Sequence, residues 1–199
     1  MIAIVATYFQ RQMQLEKTLA SFCQYKDEDF VFIVVDDGSP EEIRLPEVPF
    51  SVEVVRVTNK TWRNTCVPFN LGFIQALKYD PEIVIIQNVE CLHCGDILSA
   101  ARRVTDETVI SFAAYSLGQG EEPGITLNNK ATSYNDESSW YNHSVYRPFG
   151  FHFCNAITAA NLRKLNGMDE RLCKENLVTH LLHIRYIVYQ YFRNPLYIV

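Results

Sequence analysis

No segment of this 199-residue chain holds the roughly 20 consecutive apolar residues that a membrane-spanning helix needs. Basic charge is in short supply as well. Lys and Arg number 18 against 23 Asp and Glu, a formal net charge of −5, so nothing overall attracts nucleic acid or an anionic membrane. Ile2 to Ala6 is apolar, but no basic flank precedes it and no cleavage-type site follows, so it reads as a strand and not a signal peptide, and no export signal is expected. The six cysteines are therefore expected as free thiols in a reducing compartment, and the chain as a cytoplasmic protein. Cys91 and Cys94 form a lone C-x-x-C that lacks the second pair or the spaced histidines a structural zinc site requires. No Gly-rich loop bearing Lys or Arg follows the first strand, which disfavours a triphosphate site of the nucleotidyltransferase kind. Repeats and low-complexity tracts are absent too.

What is present suits one folded domain. A chain of this length can bury about 70% of the surface its unfolded form exposes, and the hydrophobic share of 48% supplies the core. Ile2 to Ala6 and Phe30 to Val35 are continuous apolar runs, the pattern of strands buried on both faces of a parallel sheet. Between them Leu15, Leu19 and Phe22 fall on one helical face, so the opening is strand, helix, strand with a right-handed crossover. Ser51 to Val57 is a further strand. Pro68 opens a helix on which Leu71, Ile74 and Leu77 share a face, and Asp80-Pro81 ends it. Ile83 to Ile86 is the most apolar strand candidate. A helix with Ile97, Leu98, Ala101 and Val104 inward follows, then a strand over Thr108 to Ala114. From Tyr115 to Pro148 the chain is rich in Gly, Asn, Ser and Tyr and has little periodicity, which predicts a long loop that is functional or mobile. Phe151 to Cys154 reads as a strand. Thr158 caps a short helix ended by Asn166-Gly167, and Leu177 to Tyr191 carries the stripe of a last helix.

Ligands of open parallel sheets bind beyond the carboxyl ends of the strands, so the residues following each strand are the informative ones. Thr7-Tyr8-Phe9 follows the first strand, Asp36-Asp37-Gly38-Ser39 the second, and Gln87-Asn88-Val89-Glu90 the Ile83 strand. Three polar clusters converging on one crevice suit a nucleoside diphosphate. A carboxylate accepts from a base N–H or a ribose hydroxyl, and an oxygen pair can hold Mg²⁺ or Mn²⁺ against the diphosphate. The plainer alternative, that D-D-G-S is only good turn chemistry, would win if the cluster stood alone. Around this pair the stretch from Asp27 to Glu53 carries nine carboxylates, which reads as a solvated acidic face apart from Asp36 and Asp37.

Ile2-Ala-Ile-Val-Ala-Thr-Tyr8 and Val34-Val-Asp-Asp-Gly-Ser39 resemble the opening of family 2 glycosyltransferases, where I-V-P-T-Y and V-V-D-D-G-S are typical. Val67-Pro-Phe-Asn-Leu-Gly72 is similar to that family's A-R-N-x-G segment. Leu162-Arg-Lys-Leu-Asn-Gly-Met-Asp-Glu-Arg171 is similar to its L-x-x-x-G-G-F-D-E-R. The resemblance runs from Met1 to about Arg171 and keeps the family's order. It implies an α/β fold of the GT-A (Rossmann-like) type, a nucleotide-diphospho-sugar transferase fold with a mostly parallel central sheet and flanking helices. It further implies one domain over residues 1–199, with a nucleotide-binding half to residue 114 and an acceptor-side half from 115.

By the same resemblance Thr7, Tyr8, Asp36, Asp37 and Asn70 would hold the nucleotide of a UDP-sugar. A divalent ion, Mn²⁺ or Mg²⁺, would sit at Asn88 and Glu90, where the family has D-x-D. Asn88-x-Glu90 keeps two oxygen donors but one formal charge, which weakens metal binding or calls for another ligand. His93 lies near and reads as a surface histidine bonded to backbone. The sugar would pass, with inversion, to a hydroxyl of a glycan, lipid or protein acceptor. The base would be Glu175, Asp169 or Glu170. Where an acidic run is typical this chain has Val178, Thr179 and His180, and His180 is a further base or metal-ligand candidate. Trp140 and Tyr141, with His152, are the candidates for stacking on and orienting an acceptor sugar. The missing acidic run also admits a degenerate transferase that binds a nucleotide sugar, or partners another subunit, without catalysis.

Overall fold

Apolar runs that alternate with amphipathic ones dictate the layering. The computed structural model describes residues 1–25, 28–115, 140–143 and 153–170. The elements in chain order are β1 (Ile2–Tyr8), α1 (Gln12–Phe22), β2 (Phe30–Asp36), β3 (Ser51–Arg56), α2 (Cys66–Ala76), β4 (Ile83–Asn88), α3 (Ile97–Ala101), β5 (Ile110–Ser111), β6 (Ala114–Tyr115), β7 (Trp140–Asn142), β8 (Cys154–Thr158) and α4 (Ala159–Leu165). Six strands form one sheet in the order β3-β2-β1-β4-β8-β5, and β6 with β7 forms a separate antiparallel pair. β3, β2, β1 and β4 run parallel, and β8 runs antiparallel to both β4 and β5.

The inner strands β1, β2, β4 and β8 are buried on both faces. Ile2, Ile4, Phe32, Val34 and Ile85 point toward α1 and α3, where Leu15, Leu19, Phe22 and Leu98 complete one core layer. Their neighbours of opposite parity, Ala3, Val5, Ile33, Val35 and Val84, point toward α2 and α4 and meet Phe69, Phe73 and Leu162. Continuous apolar strands are what this two-sided burial requires. Val104, expected inward, is buried, and Thr158 caps α4 by accepting from the Asn161 N–H at 3.2 Å.

The buried face of α2 differs from the expected one. Ile74 is 62% exposed, and Phe69, Gly72, Phe73 and Ala76 face the sheet instead. Gly72 explains the rotation: a Cβ there would lie 2.3 Å from Val5 Cγ1 and 2.9 Å from Val35 Cγ2. The helix seats its glycine where backbone comes closest to β1 and β2, and Ile74 is turned out to solvent as a result. The strand expected over Thr108 to Ala114 is reduced to two short pieces, β5 and β6. The strand expected over Phe151 to Cys154 begins at Cys154 and runs to Thr158. Most of the 115–148 loop and the stripe from Leu177 to Tyr191 lie outside the described residues.

Because the added methyl of Gly72→Ala must displace two buried valines, we expect it to destabilise the fold by about 1–3 kcal/mol. Urea denaturation with an unchanged slope and a lowered midpoint would show it.

Candidate functional site

The chain runs from β1 outward through β2 to β3, then returns to place β4 on the other edge of β1. That reversal puts a topological switch point between the carboxyl ends of β1 and β4, where open α/β sheets bind ligands. Register brings the expected residues there. Thr7 lies beside Asn88 across the β1–β4 pair, and Tyr8 lies beside Asp36 across the β1–β2 pair. The Asp37 N–H donates to the Tyr8 carbonyl at 2.8 Å, so the D-D-G-S turn folds over the end of β1. Glu90, two residues past β4, meets the guanidinium of Arg11, with Arg11 Nε 3.9 Å from Glu90 Oε2. Thr7, Asp37 and Glu90 thus share one rim.

The two aspartates of the turn have different surroundings. Asp36 is fully buried. Its Oδ1 accepts from the Ser39 N–H at 2.9 Å, and its Oδ2 lies 3.3 Å from Arg56 Nη1. Arg56 also donates to the Ser39 carbonyl at 3.1 Å, so Asp36 ties the turn to β3. Asp37 points along the rim. Its Oδ2 accepts from Lys60 Nζ at 2.5 Å and its Oδ1 from Trp62 Nε1 at 2.9 Å, while the Lys60 ammonium sits 5.3 Å from the centre of the exposed Phe9 ring. Tyr8 is packed in the core on the α1 side, where burial, and then the Asp36 carboxylate, raise its phenol above 10.0.

Asn70 holds a second rim segment in place. Its Oδ1 accepts from the Met168 N–H at 2.8 Å, and its Nδ2 donates to the Met168 carbonyl and to Glu170 Oε1, each at 2.9 Å. The side chain behaves as a short stretch of β partner. Gly167 makes room for it, since a Cβ there would lie 2.4 Å from Asn70 Oδ1, and its φ of +75° is one that other residues rarely adopt. Asn64 adds to the bracket: Nδ2 donates to the Glu170 carbonyl at 3.2 Å, and Oδ1 caps α2 by accepting from the Cys66 and Val67 N–H groups. β8 is antiparallel to β4, so α4 climbs back toward the rim and delivers Asp169 and Glu170 beside the start of α2.

The loop after β4 is anchored from α1. Thr18 Oγ1 lies 2.6 Å from the Val89 carbonyl and 3.0 Å from that of Cys91, and Gln24 Nε2 donates to the His93 carbonyl at 3.3 Å. His93 is a correction to the sequence reading. It is buried rather than on the surface, with Nε2 3.1 Å from Gln87 Oε1 and its ring edge-on to Phe22. Burial pushes its imidazole from 6.5 down to about 3. The Cys91 thiol, donating to the Phe153 carbonyl, is pushed up to about 12, so it is an inert core group and no nucleophile.

No protein-family model and no curated protein sequence matches the chain. Solved structures do. Residues 1–349 of S. aureus TarS, a glycosyltransferase, superpose with a TM-score of 0.57 at 15% identity, over 87% of this chain and 52% of that one. The same TarS segment in complex with UDP-GlcNAc gives 0.54 at 14% identity, over 83% of this chain and 47% of that one. A longer TarS structure gives 0.58 at 14%, over 89% and 32%. The fold is of the GT-A glycosyltransferase type. This chain spans about half of the TarS 1–349 chain and a third of the longer one.

Within this GT-A fold, Thr7, Asp37, Asn88, Glu90, Asp169 and Glu170 lie at one rim, and Asp36, Tyr8 and Asn70 support it from within. Trp140 and Tyr141 lie on β7 against β6. His152, Glu175 and His180 lie outside the described residues. Sequence reading missed Lys60, Trp62, Arg56 and Arg11. Arg11 directly follows the first strand-end cluster, and its charge was the signal available. Lys60 and Trp62 stand in a stretch with no periodicity, which gives no hint that it folds over Asp37.

Two outcomes follow. Below 6.5 the unfolded chain takes up a proton that buried His93 refuses, so stability should fall as pH drops from about 6.5 toward about 3, by at most about 1.4 kcal/mol per pH unit from this group. Unfolding free energies of wild type and His93→Gln across that range should show the shallower slope in the variant. Asn70→Ala should cost about 1–3 kcal/mol by stranding the Met168 amide and carbonyl, and should raise hydrogen exchange at the Met168 N–H selectively.

Proposed function

We propose that the chain is a nucleotide-sugar-dependent glycosyltransferase that takes a UDP-sugar and moves the sugar to an acceptor hydroxyl. The observation that carries this reading is convergence. Strand ends from residues 7, 37 and 88 meet at the switch point, and Asn70 brings the 167–170 turn to the same rim from a hundred residues away. The likeness to TarS, one of whose structures holds UDP-GlcNAc, supports the same class of donor.

In this reading the nucleoside lies over Thr7 and the Asp36–Ser39 turn. Asp37 accepts from a base N–H or ribose hydroxyl, and Trp62 and Phe9 offer flat apolar surface beside it. The nucleotide must share or replace the Lys60 contact to reach Asp37. A carboxylate, either Asp169 or Glu170 at the rim or Glu175 outside the described residues, removes the acceptor hydroxyl proton as that oxygen attacks the anomeric carbon. UDP leaves with the electrons of the broken bond. Attack opposite the leaving group inverts the anomeric centre. The acceptor would be a glycan, lipid or protein hydroxyl, with Trp140, Tyr141 and His152 the residues proposed to hold it.

Incubation with a panel of UDP-sugars and acceptors should release UDP. Asp37→Ala should weaken UDP binding about tenfold or more. Loss of the base should lower kcat by about 10²–10⁴-fold, and Asp169→Asn, Glu170→Gln and Glu175→Gln will show which carboxylate it is. UDP binding without turnover on any donor would instead favour the binding-only, degenerate transferase.

A further inference from the structure

We infer that this chain meets the donor diphosphate with the Arg11 guanidinium and needs no divalent metal there; this rests on the nucleotide-sugar reading above. The expected metal pair, Asn88 and Glu90, does not fit a hard divalent cation. Such a cation gathers six or more oxygens and favours carboxylates. Asn88 is neutral, and Glu90, the one carboxylate of the pair, already faces Arg11 at 3.9 Å. No third ligand stands by: among the described residues no group of three His, Cys, Asp or Glu side chains is placed to hold a metal. His93, the nearest imidazole in sequence, is turned into the core against Gln87 and Phe22.

Charge pairing along the rim leads to the same conclusion. Asp36 is matched by Arg56, Asp37 by Lys60 and Glu90 by Arg11. The carboxylates at the β1, β2 and β4 strand ends are thus each matched by a basic side chain and offer a cation no surplus negative charge there. The three pairs are not equally committed. Asp36 is fully buried and its partner half-buried, and Lys60 sits at hydrogen-bond distance from Asp37. Arg11 and Glu90 are 55% and 46% exposed and joined by one long contact. An exposed pair of that kind contributes at most about 1 kcal/mol, whereas a guanidinium holds phosphate oxygens through two parallel N–H bonds.

Position makes Arg11 the available cation. It lies three residues past the end of β1, and Glu90 lies two past the end of β4, so the pair stands over the β1–β4 switch point. A nucleoside seated over β1 and β2 at Thr7 and Asp37 directs its diphosphate toward that gap. Arg11 exchanges the weak Glu90 contact for the diphosphate and stabilises the charge that develops on UDP as the glycosidic bond breaks.

The test uses the full chain with UDP and uridine as probes, by titration calorimetry with EDTA or with Mn²⁺. UDP should bind with affinities that agree within about threefold in the two conditions. Arg11→Gln should weaken UDP about tenfold or more while leaving uridine, which has no phosphate, unchanged. Glu90→Gln separates the two schemes by sign. It frees Arg11 and should leave UDP binding as tight or tighter, whereas loss of a metal ligand would weaken it in Mn²⁺. Abolition of UDP binding by EDTA, weakening by Glu90→Gln in Mn²⁺, or an unchanged affinity in Arg11→Gln would each overturn the inference. Failure of both uridine and UDP to bind in either condition would instead remove the nucleotide-sugar reading, and the inference with it.

Discussion

β1 hydrogen-bonds in parallel to β2 on one edge and to β4 on the other, and the position of the site follows from that double pairing. A strand flanked on both edges by parallel neighbours leaves a gap at its carboxyl end, because the connections leave in opposite directions. All residues from Ile2 to Ala6 are fully buried, so β1 cannot slip by one residue without exposing one layer of core and burying the polar end of the strand. The registers that set Thr7 beside Asn88 and Tyr8 beside Asp36 are therefore held by the core. The rim inherits its geometry from hydrophobic packing at the other end of the same strands.

Rigidity at the rim comes from side chains that imitate backbone. Asn70 pairs with Met168 through both its amide N–H and its carbonyl, and Asn64 caps α2 while reaching Glu170. Asp36 takes the Ser39 N–H in the same way. Each satisfies buried or half-buried backbone groups that loops would otherwise leave to water. Gly72 and Gly167 belong to the same scheme, the first letting α2 settle on the sheet and the second letting the turn settle on α2. A chain with so few glycines places two of them where a methyl group would collide.

The electrostatics of the rim run against the simplest expectation from its carboxylates. The sequence reading puts a metal ion at Asn88 and Glu90 and the nucleoside at Asp36 and Asp37, yet Asp36, Asp37 and Glu90 each face a basic side chain from another segment. A ligand bearing negative charge gains from such a rim by taking over the most exposed of these cations. To use any of these three, a metal ion would first have to release it from its partner.

Much of the fold was legible in order and type. Continuous apolar runs marked β1, β2 and β4, and the Leu15, Leu19 and Phe22 stripe marked α1, because burial on two faces or on one leaves a different period in the residues. Thr158 and Asn166-Gly167 announced the ends of α4, since caps are local chemistry. Strand-end polarity likewise pointed to Thr7, Asp37 and Asn88. Tertiary structure alone decided the rest. It turned Ile74 outward because Gly72 meets Val5, a contact between segments 67 residues apart that no helical period records. It sent His93 inward and made Asn70 a bracket for Met168 and Glu170. It set Lys60 on Asp37 and Arg11 on Glu90. Local sequence encodes period and caps, whereas the partner of a charge depends on which loops the packed sheet brings to one edge.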